Sequence, residues 1–145
     1  MSTCIVVDSS IWIEHFRRSN PRLLELLKDH RVVTHELLIG ELRCGTPPVP
    51  RSATLQLLAN LLQIESVDID EVLTVVEERR MYGSGCGLVD MAVLVATLRT
   101  PEARLWSKDK KMQRLATLLG IPLMEGEPAP RSVRTADLSA ACPTA

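Results

Sequence analysis

Four carboxylates in this sequence stand where apolar side chains or simple helix caps are expected, and together they offer oxygen-ligand chemistry. Asp8 ends the apolar run Cys4-Ile5-Val6-Val7 and is followed by two hydroxyl residues, Ser9 and Ser10. Glu41 shares a helix face with Leu37 and Leu38, because positions three and four apart point the same way. It lies beside Gly40, which weakens a helix but permits close approach. Asp90 opens a stretch whose later residues, Met91, Val93, Leu94, Val95 and Leu98, are core material. The helix dipole favours an N-terminal Asp by about 0.3–1 kcal/mol, whereas burying an unpaired carboxylate costs several kcal/mol. A cation is therefore expected beside Asp90. Asp109 follows Trp106-Ser107-Lys108 at a second strand end, with the Ser107 hydroxyl just ahead of it.

Each acid also has an ordinary structural reading. Asp8 and Asp109 serve equally as helix N-caps or Asx-turn residues, Asp90 as a first-turn acid, and Glu41 as a side chain that reaches solvent or an arginine. Their joint placement says more. Asp8, the Ser107/Asp109 turn and the start of the Asp90 helix can all lie at one edge of a parallel sheet, with Glu41 reaching them from a helix packed across it. Clustered carboxylates raise one another's pKa unless a cation intervenes. Oxygen ligands that leave room for water suit Mg²⁺ or Mn²⁺ rather than zinc. Such an ion, with open positions, fits hydrolysis of a phosphodiester.

The elements that must hold these groups follow from the hydrophobic pattern. Strands are expected in the apolar run from Thr3 that ends at Asp8, and at Arg31–Thr34, Ile64–Ile69, Arg104–Ser107 and Ile121–Met124. Between them come helices from Ser9 to Phe16, from Pro21 through the Leu23/Leu24/Leu26/Leu27 stripe, from about His35 to Cys44, and from Ser52 to Gln63. Further helices run from the Asp68/Asp70 cap to Tyr82, from Leu88 to Arg99, and from Lys110 to Leu119, the last closed by Gly120. Gly45 to Pro50 reads as a stiff connector, and Gly83-Ser84-Gly85-Cys86-Gly87 as a flexible joint without the dinucleotide fingerprint. Alternating strands and helices imply an α/β fold, a three-layer α/β/α sandwich with a mainly parallel central sheet. In open sheets of this kind, ligands bind beyond the carboxyl ends of the strands.

The 145 residues suit one domain: residues 1–124 as the folded unit and 125–145, rich in Pro, Ala and Ser, as a flexible tail. With 46% hydrophobic residues, 24% charged and a net charge of −1, the chain has the profile of a soluble protein rather than of a general polyanion coat. No run reaches membrane-span length, and the first strand begins too early for a signal peptide, so the cytoplasm is expected. Cys4, Cys44, Cys86 and Cys142 lie too far apart for a zinc motif and read as free thiols in a reducing compartment.

Val7-Asp8-Ser9-Ser10, Leu38-Ile39-Gly40-Glu41-Leu42, Gly87-Leu88-Val89-Asp90 and Leu105-Trp106-Ser107-Lys108-Asp109, in that order, resemble the motifs of a PIN domain. In particular they resemble the VapC-type toxins of type II (VapBC) toxin–antitoxin pairs, over roughly Met1 to Met124. The resemblance implies a metal-dependent endoribonuclease with Asp8, Glu41, Asp90 and Asp109 as its acidic tetrad. Asp8 and Asp90 would hold Mg²⁺ (or Mn²⁺), with Asp109 joining directly or through water. Glu41 would ligate the ion or orient the attacking water, and Ser107, where the family often has Thr, would position the metal's surroundings. Met91 departs from the smaller residue common there.

The resemblance further implies a product with a 5′-phosphate and 3′-hydroxyl, an RNA substrate such as tRNA or rRNA, and inhibition of translation or growth. It implies a cognate VapB-like antitoxin whose C-terminal segment crosses the acidic site, a homodimer, and operator DNA bound through the antitoxin complex. A tetrad of carboxylates repels RNA, so cations should surround it. Lys108, Lys110, Lys111 and Arg114 flank Asp109, and Arg17, Arg18 and Arg22 follow the first helix; a solvated helix face is the alternative. With Trp12, Phe16, Tyr82 and Trp106 the sole aromatics, most of them expected in the core, structured RNA read by shape and backbone is favoured over single-strand stacking. Two rivals stay open. A phosphoryl-transfer domain also places an Asp after its first strand, although the haloacid-dehalogenase type wants Asp where Ser10 stands. A non-catalytic PIN-like binding module with a vestigial metal site is the other.

Overall fold

The computed structural model describes residues 3–124. Its elements run β1 (Cys4–Val7), α1 (Ser9–Arg17), α2 (Pro21–Lys28), β2 (Val32–Thr34), α3 (Glu36–Cys44), α4 (Arg51–Ala59), β3 (Leu62–Gln63), α5 (Ile69–Glu78), α6 (Leu88–Leu98), β4 (Ala103–Trp106) and α7 (Lys110–Leu119). The strands form one parallel sheet in the order β3-β2-β1-β4. Helical crossovers between successive strands force that parallel arrangement.

Alternation along each strand fills both faces. Ile5, Val7, Val32 and Trp106 point into one core with Ile11 and Trp12 of α1, Leu23 and Leu26 of α2, and Leu58 of α4. Val6, Val33 and Leu105 point the other way, into a core built from α5, α6 and α7. Helix α6 is buried from Met91 to Thr97 and forms the centre of that second layer. Helix α3 bridges the layers, sending Leu38 into one core and Leu42 into the other. The three-layer α/β/α sandwich is therefore as expected.

Local signals set the helix ends. Asn20 caps α2, its Oδ1 accepting from the Arg22 and Leu23 amides at 2.9 and 3.1 Å, with Pro21 in the first turn. Gly120 adopts φ 79° after α7, and the Ile121 amide then bonds back to the Ala116 carbonyl at 2.8 Å.

Four boundaries differ from expectation. The third strand is Leu62–Gln63 rather than Ile64–Ile69, because the β2 edge is paired there, with the Ile64 amide adding one bond to the Thr34 carbonyl at 2.8 Å. Helix α4 accordingly stops at Ala59 instead of Gln63. Helix α5 ends at Glu78, four residues short of Tyr82, since Arg80 takes φ 54° and the Met81 amide turns back to the Val76 carbonyl. Segment 121–124 makes a single parallel bridge, Leu105 to Leu123, beside β4 instead of a full strand. Trp12 and Trp106 are core residues, Phe16 is half-buried, and Tyr82 is exposed. Among the described residues no helix is long and apolar enough to cross a membrane. The expected tail, 125–145, lies outside the described residues.

Candidate active site

The register of β1 against β4 pairs Val7 with Trp106, so the next residues, Asp8 and Ser107, emerge side by side at the carboxyl edge of the sheet. The Asp8 amide donates to the Trp106 carbonyl at 2.9 Å. Asp8 is 4% exposed and caps α1. Its Oδ2 accepts from the Ser10 amide (3.3 Å), the Ser10 hydroxyl (2.7 Å) and the Ser107 hydroxyl (2.9 Å). None of these three bonds uses Oδ1, which leaves one oxygen of the carboxylate for a ligand. Ser107 Oγ also accepts from the Asp109 amide at 3.0 Å, and Asp109 in turn caps α7 through a 2.9 Å bond from the Lys111 amide. Both expected cap roles are therefore real, and they coexist with convergence. The same hydrogen bonds that start α1 and α7 hold two carboxylates at one strand edge.

Ser10 is a participant that in the sequence looks like a generic capping hydroxyl. It links Asp8 to the Lys108 amide, at 3.1 Å, and so ties the first turn of α1 to the turn after β4. The signal for it is the Asp-x-Ser spacing, which suits an Asx-type turn.

Asp90 occupies the third position of α6 and reaches back toward the Gly87 amide, as first-turn acids do in a capping box. Burial raises its pKa above the ordinary carboxylate value. Repulsion from Asp8 and from Asp109 adds to the rise, while the Gly87 amide and the Lys111 ammonium oppose it. Glu41 projects from α3, which packs on both α1 and α6. Its side chain meets solvent, yet partial burial raises its pKa. A hydrogen bond with Ser9 works against that rise, and the charges of Asp90 and Asp8 reinforce it. Each of the four acids is thus electrostatically coupled to at least one other, across β1, α3, α6 and the β4–α7 turn. Gly40 is not what lets Glu41 approach: a Cβ there would meet nothing within 4 Å.

The grouping is looser than expected. Among the described residues no three His, Cys, Asp or Glu side chains form a group able to hold a metal ion as they stand. What the acids present is an open set of hard oxygens, with Asp8 fixed by hydroxyls and Asp90 and Glu41 under mutual repulsion. That donor set fits Mg²⁺ or Mn²⁺, which keeps several waters and takes one or two carboxylates. It does not fit a closed zinc cage.

The expected cations are distributed unevenly. Lys108 Nζ pairs with Glu14 at 2.9 Å, Arg22 with Glu25 at 3.6 Å, and Lys111 Nζ with Asp109 at 3.7 Å. Arg18, Lys110 and Arg114 are exposed. Arg17 lines a groove that begins at Glu41 and runs between α1 and α3 past Ile13, Phe16, Leu42 and the Pro47-Pro48 loop.

The parallel sheet ordered β3-β2-β1-β4 thus carries Asp8 and the Ser107/Asp109 turn at its carboxyl edge, with Asp90 and Glu41 acting on them through their charges. The PIN domain family model matches residues 5–118, and the chain belongs to that family. Within it the likeness is to VapC-type proteins. The chain is 43% identical over 121 residues to Ribonuclease VapC32 of Mycobacterium tuberculosis, in both strain CDC 1551 / Oshkosh and strain ATCC 25618 / H37Rv, covering 83% of this chain and 97% of the relative. Among solved structures, PAE2754 from Pyrobaculum aerophilum superposes with a TM-score of 0.52 at 18% identity, covering 83% of this chain and 97% of that one. At that identity it is a likeness of fold alone.

Proposed function

We propose that this chain is a divalent-metal-dependent endoribonuclease, the toxin of a VapBC-type toxin–antitoxin pair, cleaving structured RNA such as tRNA or rRNA and so arresting translation. The observation that carries the reading is the Asp8–Ser107–Asp109 chain of hydrogen bonds at the strand edge, with Asp90 and Glu41 coupled to it through their charges. The names of the VapC32 relatives support RNA as substrate and an antitoxin as partner.

In this reading Asp8 and Asp90 would be the principal ligands of Mg²⁺ (or Mn²⁺), and Asp109 would join directly or through water. When bound, such an ion would lower the pKa of a water and neutralise charge at phosphorus. Glu41 would ligate the ion or orient the attacking water. Ser107 and Ser10 keep Asp8 aimed by donating to one of its oxygens. Arg17, Arg18, Lys108, Lys110, Lys111 and Arg114 would carry the phosphate backbone, with Lys111 the one paired to an acid of the site. The groove from Glu41 past Arg17 offers a path for an antitoxin segment bearing a cation toward the acids. A homodimer, and operator contact through the antitoxin, belong to the same reading.

The test is cleavage of tRNA and rRNA by purified protein with Mg²⁺ or Mn²⁺, followed by mapping of the new 5′ ends. Cleavage leaving 5′-phosphates, abolished in Asp90→Asn, supports the proposal. Full cleavage by Asp90→Asn refutes the assignment of the acids. One rival reading is the binding module with a vestigial metal site, against which the presence of all four acids argues. Calorimetric titration with Mn²⁺ separates the two, since the scaffold would show no carboxylate-dependent heat.

A further inference from the structure

Lys111 is held differently from the other cations around the acids. Its amide donates to the capping Asp109 Oδ1 at 2.9 Å, and its ammonium returns to the same Oδ1 at 3.7 Å. Between these two points its methylene stem lies directly over Gly85, where a Cβ would stand 2.6 Å from Cδ and 3.2 Å from Cε. Gly85 has φ +93°, a conformation that favours glycine. The loop before α6 thus gives up a side chain at the place where the lysine crosses it. The charge so positioned acts on Asp90 and on Cys86 across the loop as well as on Asp109. Lys108, by contrast, is turned outward to Glu14.

We propose that Lys111, laid across Gly85, is a resident counter-cation of the acidic centre, which a divalent ion displaces from Asp109 and which then takes a phosphate oxygen of the RNA. This rests on the acids being the metal centre proposed above. A monovalent cation at 3.7 Å competes poorly with a dication for the same oxygen. Its flexible stem lets the ammonium swing out while the backbone cap on Asp109 stays in place. Metal loading and substrate capture are thereby coupled: the ammonium is committed to Asp109 until the ion arrives.

The experiment is calorimetric titration of Mn²⁺ into the full-length wild type, Lys111→Met and Gly85→Ala, with RNA cleavage measured on the same preparations. Lys111→Met is expected to bind Mn²⁺ about three- to tenfold more tightly, because a competing positive charge is gone, and to cleave RNA more slowly at saturating metal. Gly85→Ala keeps the charge but pushes the stem aside and strains the loop at φ +93°, so a shift of Mn²⁺ affinity in the same direction as Lys111→Met, by less, is expected together with a lower melting temperature. A merely structural lysine would lower affinity and cleavage together. Equal Mn²⁺ affinity in wild type and Lys111→Met overturns the counter-cation, and undiminished cleavage by Lys111→Met overturns its role at the phosphate. No Mn²⁺ binding by the wild type overturns the metal-centre reading itself, and this inference with it.

Discussion

Replacing Ser107 by Ala should unfold the protein several degrees earlier, and the loss should depend on the charge of Asp8. The hydroxyl donates to Asp8 Oδ2 at 2.9 Å in a buried setting and accepts from the Asp109 amide at 3.0 Å. A hydrogen bond to a charged group contributes about 1.5–3 kcal/mol net. The Asp109 amide is partly buried and recovers water in the variant, so its loss adds less than about 1 kcal/mol. A total of about 2–3 kcal/mol corresponds to a fall in Tm of about 6–10 °C for a domain of this size. Thermal melts followed by circular dichroism at pH 7 measure it. The same substitution in an Asp8→Asn background should cost less by at least about 1 kcal/mol, because the charge that the hydroxyl serves has gone. Ser107→Thr, which keeps the hydroxyl, should stay close to wild type. A Ser107→Ala melt within about 1 °C of wild type, or an unchanged loss in the Asp8→Asn background, would refute the reasoning.

Three further outcomes follow from other parts of the structure. Asp90 and Glu41 titrate above their ordinary values of 3.8 and 4.5, so the native state retains protons that the unfolded chain has released. Their contribution to stability therefore falls as pH rises through that window, and Asp90→Asn and Glu41→Gln should melt higher than wild type at pH 7, a gain that vanishes below it. His35 is buried, its Nδ1 accepting from the Leu37 amide at 2.9 Å, so its neutral form carries the proton on Nε2, facing Ser66. Burial holds its pKa below 6.5, against the pull of Glu36, so stability is lost as pH falls through 6.5. His35→Ala should cost about 1 kcal/mol as a lost cap and remove that pH dependence, while His35→Asn, which can still accept from Leu37, should keep most of the stability. Gly40→Ala should raise stability by about 0.5–1 kcal/mol in a denaturant titration, because α3 gains helix propensity and the new Cβ meets nothing within 4 Å.

The acids were legible because each broke a pattern that otherwise served the core. Asp8 interrupts a run that alternates into two cores, and Asp90 stands at the head of a helix buried from Met91 to Thr97. Such departures are visible in side-chain chemistry alone. The edge strand was not, since Leu62 is 74% exposed and its placement is set by backbone pairing with β2, while of the expected Ile64–Ile69 stretch only the Ile64 amide still reaches β2. Gly40 misled for a related reason: a glycine beside a carboxylate suggests close approach, and nothing approaches it. The route of Lys111 over Gly85 depends on a backbone angle of +93°, which the glycine permits but does not announce.

The bond between Ser107 and Asp8 joins positions 99 residues apart. Within the domain β1 is synthesised well before its neighbour β4, and Asp109, the last of the four acids, arrives just after β4. A nascent or prematurely terminated chain ending before β4 would carry Asp8, Glu41 and Asp90 without the partner strand that fixes the first of them. Long-range pairing of this kind closes slowly. The proposed nuclease activity would then be withheld from the ribosome-bound chain until nearly the whole domain had emerged, a safeguard built into the order of the strands.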